Sequence, residues 1–120
     1  MDAKNPNNTY TKEQLWNRDA AISRLAGNEG LLNRIVDMFL SQIEQKQLSL
    51  KDAADRQDAE AVRFNSHAMK GVSGDVGADA IRERACAIEA QAKQGDLSQI
   101  NGDIRALDDI INQTISVMRY

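Results

Sequence analysis

The chain contains a single histidine, His67, in the run Ser66-His67-Ala68-Met69-Lys70-Gly71-Val72-Ser73. An imidazole is a nucleophile near neutral pH. A cation follows it three residues on and a glycine four residues on, and on a helix all three share one patch of surface. Such a patch can attack a phosphoryl group. The ring supplies the lone pair, the Lys70 ammonium neutralises incoming charge, and the missing side chain at Gly71 leaves room for a partner.

The direction of His67 follows from the helical step of about 100° per residue. Val62, Met69 and Val72 fall within roughly 40° of the opposite side and must face the core. Arg63, Lys70, Gly71 and Gly74 fall within about 60° of His67. His67 is therefore predicted to be exposed, ringed by charge and glycine. A glycine inside a helix costs about 1 kcal/mol relative to alanine. Gly71 either allows close approach of a partner or caps an early helix end. Phe64, about 60° to the other side, either belongs to a docking surface or packs against a neighbouring helix.

A second polar stripe runs through Arg82, Cys86, Glu89 and Lys93. If its helix lies antiparallel beside that of His67, Glu89 and Lys93 come near the imidazole. Glu89 would accept a hydrogen bond from one ring nitrogen and leave the other as nucleophile. The alternative is an ordinary solvated ion-pair face. Cys86 is expected to pack inward.

Four long amphipathic segments can position these residues. Residues 1–11, polar and rich in Asn, read as a tail or linker, and 12–120 as one domain. Asn17 is placed to cap a short helix ended by Gly27, with Trp16 folding over one end of the core. Asn28 caps a second helix running to about Arg56, with Leu32, Ile35, Phe39, Ile43, Leu50 and Ala54 as its apolar stripe. Asp58 caps a third, to about Ser73, and the run Gly74-Asp75-Val76-Gly77 breaks the chain. A fourth, from about Ala78 to Lys93, carries Ile81, Ala85, Ile88 and Ala92 on one side. Asp96 is placed to cap the last, marked by Leu97, Ile100, Ile104, Leu107, Ile111, Ile115 and Met118. Short connections make neighbours antiparallel. The predicted fold is all-α: an antiparallel up-down-up-down four-helix bundle with a short extra N-terminal helix.

Composition agrees. Of 120 residues, 42% are hydrophobic but only 4% aromatic, with one proline, which favours helices over a β-sandwich. The net charge of −3 argues against nucleic acid as partner. With Cys86 as the sole cysteine no intramolecular disulfide is possible, which suggests a reducing compartment. No apolar run approaches the ~20 residues that span a bilayer. A cytoplasmic chain without direct membrane contact is therefore expected.

The residues around His67 resemble the histidine-containing phosphotransfer (HPt) domain of bacterial multistep phosphorelays. That family's motif reads roughly Ala-His-x-Leu-Lys-Gly-x-Ser/Ala, followed by Gly-Ala and a Leu-Glu-type pair. Ser66 to Ser73 matches it, with Gly77-Ala78 and Ile88-Glu89 at the expected distances. Upstream, Gly27-Asn28-Glu29-Gly30-Leu31-Leu32 is similar to the opening of the family's second helix, and Phe39-Leu40 to its Phe-Leu pair. Ser66 stands for the usual alanine and Met69 for the usual leucine. The resemblance spans about residues 16 to 118.

The resemblance implies that His67 accepts a phosphoryl group from the aspartyl phosphate of a receiver domain and passes it to a second receiver. Lys70 and Glu89 would assist, and Arg63, Phe64, Gly71, Gly74 and Lys93 would form the binding surface. The chain itself would be no kinase, and no nucleotide-binding loop is visible. It would need no cofactor or metal of its own, Mg²⁺ being expected on the receiver. Implied partners are the receivers of a hybrid sensor kinase and of a response regulator. A monomer suffices, because one chain supplies four helices. The Asn-rich start suggests the cytoplasmic C-terminal domain of a hybrid sensor kinase, itself an inner-membrane protein. Two rivals are the dimerising phosphoacceptor hairpin of a histidine kinase and a helical adaptor whose histidine is incidental.

Overall fold

Side-chain caps set where most of the helices begin. In the computed structural model, which describes residues 10–119, the carboxamides of Asn17 and Asn28 and the carboxylate of Asp58 each accept a backbone N–H three residues on. They open α2 (Arg18–Arg24), α3 (Glu29–Asp55) and α4 (Ala59–Val76), as the sequence predicts. α5 (Asp79–Lys93) and α6 (Ile100–Met118) complete the bundle. Around the bundle's sides α3 packs on α4, α4 on α5, α5 on α6, and α6 returns to α3. No helix among the described residues is long and apolar enough to cross a membrane.

The predicted stripes meet at the centre. Leu32, Phe39, Ile43 and Leu50 of α3, Val62 and Met69 of α4, Ile81, Ala85 and Ile88 of α5 and Ile104, Leu107 and Ile111 of α6 form one core. The buried stripe of α6 is wider than its heptad-like spacing suggested, since Ile110 and Thr114 are also fully buried. Thr114 satisfies its hydroxyl on the Ile110 carbonyl. Polar pairs tie the flanks: Lys51 and Gln47 of α3 both reach Asp108 of α6.

Two boundaries differ from the sequence reading. α4 does not stop at Ser73 but runs through Gly74 to Val76, and the break falls on Gly77 alone. Gly77 adopts the left-handed conformation (φ +83°), and its N–H and that of Ala78 close on the carbonyls of Gly74 and Ser73. Only that glycine is needed to end the helix. At the start of α6, the Asp96 carboxylate accepts from the amide and hydroxyl of Ser98, so it closes a local turn instead of capping a helix. The helix begins at Ile100, and Leu97 packs against the core from the turn before it.

Among the described residues there are also two short N-terminal helices, not one. Thr11, expected in the tail, forms a capping box with Gln14 and opens α1 (Lys12–Leu15). The remainder of the expected tail, residues 1–9, lies outside the described residues, as does Tyr120. Trp16 covers one end of the core and donates its indole N–H to the Val76 carbonyl at 2.8 Å, while the Asn17 amide donates to Gly77. The N-terminal segment thus clamps the α4–α5 turn, and that turn sets the register between the two helices carrying the chemistry.

Candidate functional site

α4 and α5 run antiparallel, with His67 opposite Glu89 and Gly74 opposite Arg82. Val62 and Met69 are fully buried beneath this face and Val72 partly so, which turns His67 outward. The His67 side chain is 65% exposed, whereas the Glu89 side chain beside it is only 11% exposed. Glu89 sits in the trough between the two helices and aims both carboxylate oxygens at α4. Oε2 lies 2.7 Å from His67 Nδ1, and Oε1 lies 2.7 Å from Lys70 Nζ.

This geometry fixes the protonation pattern. The Lys70 ammonium, and after it the imidazole, hold the Glu89 carboxyl below its usual range despite the opposing effect of burial. Reciprocally, the hydrogen bond to Glu89 raises the Lys70 pKa. Near neutrality Glu89 is therefore an anion that can only accept hydrogen bonds. The proton between it and His67 must reside on Nδ1, and the lone pair of the neutral ring then lies on Nε2. Nε2 has no hydrogen-bond partner among the described residues.

Around this triad lie the other residues that the sequence singled out. Phe64 is 68% exposed and is not one of the side chains packed against the core, which leaves it as surface. Gly71 is exposed, and a Cβ added there would meet nothing within 4 Å. It lies in mid-helix, so it is no cap. Gly74 is partly covered: a Cβ there would come within 3.1 Å of Arg82 Cδ. Arg63 engages Glu60 with two nitrogens, at 2.7 and 3.3 Å.

Two expectations are not met. Lys93 does not join the triad. It lies one turn beyond Glu89 and forms no ion pair with it among the described residues. On the observed register it stands across from Arg63. Cys86 does not pack inward but is exposed, within electrostatic reach of Lys70. It lies one turn after the exposed Arg82 on the same face of α5, and that placement, not its hydropathy, leaves it at the surface. Arg82, named in the sequence only as part of that stripe, lies against α4.

A family model described as the Hpt domain matches residues 34–116. The phosphorelay proteins LuxU of Vibrio vulnificus strains YJ016 and CMCP6 are each 32% identical to this chain over 80 residues, 67% of this chain and 70% of theirs. The crystal structure of histidine-containing phosphotransfer protein B (HptB) from Pseudomonas aeruginosa PAO1 superposes with a TM-score of 0.77, covering 88% of this chain and 96% of that one. At 22% identity that likeness speaks for the fold. The matched family span contains His67, Lys70, Gly71 and Glu89 and all but the first turns of the bundle that presents them. The chain belongs to the Hpt domain family.

Proposed function

We propose that His67 is the phosphoacceptor of this phosphorelay intermediate, taking a phosphoryl group from the aspartyl phosphate of one receiver domain and giving it to another. The observation that carries the reading is the exposed ring whose Nδ1 is held by the buried, ionised Glu89 while Nε2 is unengaged. The Nε2 lone pair attacks phosphorus. A P–N bond forms, the P–O bond to the aspartate breaks, and the aspartate leaves as a carboxylate. The Nδ1 proton stays in place, so the ring becomes a phosphoimidazolium whose positive charge lies 2.7 Å from Glu89. Transfer onward is the reverse of these steps with a second aspartate.

The domain contributes a positioned nucleophile and a docking face. The divalent cation and the aspartate belong to the receiver, and kinase activity resides elsewhere. A dimerising phosphoacceptor hairpin needs a second chain to complete its core. Here α3 to α6 bury one core within a single chain, which supports a monomer. A cytoplasmic setting, with receivers of a hybrid sensor kinase and a response regulator as partners, fits this role.

Incubation with a phosphorylated receiver tests the reading. Wild type is expected to take up acid-labile label. His67→Gln is expected to fold normally, since the side chain is largely exposed, and to take up none. Label retained by His67→Gln would overturn the assignment.

A further inference from the structure

The cations near the His67 face of α4 are mostly committed to partners within the chain. Arg63 is bound to Glu60, and Lys70 to Glu89. Arg24, reaching in from α2, donates to the Gly74 carbonyl at 2.9 Å. Lys93, one turn beyond Glu89, and Arg82 are left without an ion pair among the described residues, and of the two Arg82 is packed on α4. Arg82 is exposed on α5 and has no side-chain hydrogen bond among the described residues.

Arg82 is nonetheless held in place. Its stem lies over Gly74, so close that a Cβ there would sit 3.1 Å from Cδ. Gly74 is two turns from His67, hence on the same face of α4. The charge of Arg82 is also felt at Lys70, where it opposes the upward pull of Glu89. Gly74, in the last turn of α4, costs helix propensity, and unlike Gly71 it has a neighbour filling the space of its absent side chain.

We propose that Arg82 is a docking residue for the phosphorylated receiver, contacting its acidic surface around the aspartyl phosphate, and that Gly74 is glycine so that this arginine can cross α4. Seven residues of helix place Gly74 about 10 Å along the axis from His67. Arg82 therefore meets the rim of the partner and not the phosphoryl group in transfer. A rim charge acts on encounter and on salt dependence more than on the chemical step. The proposal rests on the phosphoacceptor reading above.

The test is single-turnover transfer from a phosphorylated receiver, measured against receiver concentration and salt. Arg82→Gln is expected to raise the half-saturating receiver concentration about 3–10-fold, to flatten the salt dependence, and to leave the saturated rate and the phosphohistidine lifetime within about twofold of wild type. Arg105→Gln, on exposed α6 surface at the opposite side of the bundle, removes the same charge and is expected to change none of these. Gly74→Ala is expected to raise Tm while weakening docking, and to add no further loss in an Arg82→Gln background. Wild-type saturation and salt dependence in Arg82→Gln would overturn the proposal. So would an equal Gly74→Ala defect with or without Arg82, since the glycine would then act alone. Failure of wild type to accept label would instead overturn the phosphoacceptor reading, and shows before Arg82 is at issue.

Discussion

Removing the Glu89 carboxylate tests how the site activates its histidine. In the resting site Glu89 accepts a hydrogen bond from Nδ1–H of a neutral ring. After attack it faces a cationic one, so the Nδ1–H···carboxylate bond at 2.7 Å strengthens as the reaction proceeds. Only that difference accelerates transfer. A hydrogen bond to a charged group contributes roughly 1.5–3 kcal/mol net. Exposed ion pairs contribute about 0.2–1 kcal/mol. Here the ring is 65% exposed and the carboxylate 11%, which places the effect between these at about 1–2 kcal/mol. Glu89→Ala should therefore slow single-turnover transfer from a phosphorylated receiver about 5–30-fold. Glu89→Gln keeps an acceptor for Nδ1–H but not the charge, and should lose about 2–5-fold. Lys70→Ala should slow transfer and shorten the phosphohistidine lifetime without abolishing either. The readouts are quench-flow with acid-labile phosphate and thermal melts to show that each variant is folded. Glu89→Ala within twofold of the wild-type rate, with an unchanged melt, would refute the argument that the carboxylate prepares the ring.

Two glycines predict opposite outcomes. Gly71→Gln adds a side chain where nothing lies within 4 Å. It should keep or raise Tm, because glycine is the poorer helix former by about 1 kcal/mol, yet slow transfer by obstructing the partner; unchanged transfer with both receivers would remove Gly71 from the docking face. Gly77→Ala should cost about 2–4 kcal/mol. The residue is at φ +83° and the new Cβ would fall 2.7 Å from the Asn17 carbonyl oxygen. A calorimetric Tm lowered by about 10 °C is expected, and a Tm equal to wild type would show that the N-terminal clamp yields freely.

The sequence made the outward face of α4 legible because three apolar residues fix it. Val62, Met69 and Val72 point one way, so His67 must point the other. Phe64 and Gly71 each carried two readings. The choice between them depended on what lies across from each residue, and a single helix pattern does not contain that. The end of α4 was harder. Gly74 and Gly77 both read as breaks, but only the second has the positive φ that requires glycine. Three further residues of α4 move its register against α5 by nearly a turn. That register decides which members of the Arg82, Cys86, Glu89 and Lys93 stripe meet His67. Asp96 misled for a related reason. An aspartate caps a helix or closes a local turn with equal ease, and Ser98 two residues on offered it the turn.

The fate of Lys70 shows why the site needs more than its motif. The sequence assigns this cation to incoming phosphate. In the folded chain its ammonium lies 2.7 Å from Glu89 and helps to keep that carboxylate ionised in a trough only 11% exposed. An ionised Glu89 is what holds the proton on Nδ1 and frees Nε2. Lys70 therefore acts first through Glu89 on the histidine. It can serve a phosphoryl group on Nε2 only by loosening its hold on the carboxylate, at the moment when the ring itself becomes the cation Glu89 can pair with. The two positive charges exchange one anion between them, so the site passes from acceptor to donor without leaving the buried carboxylate unpaired.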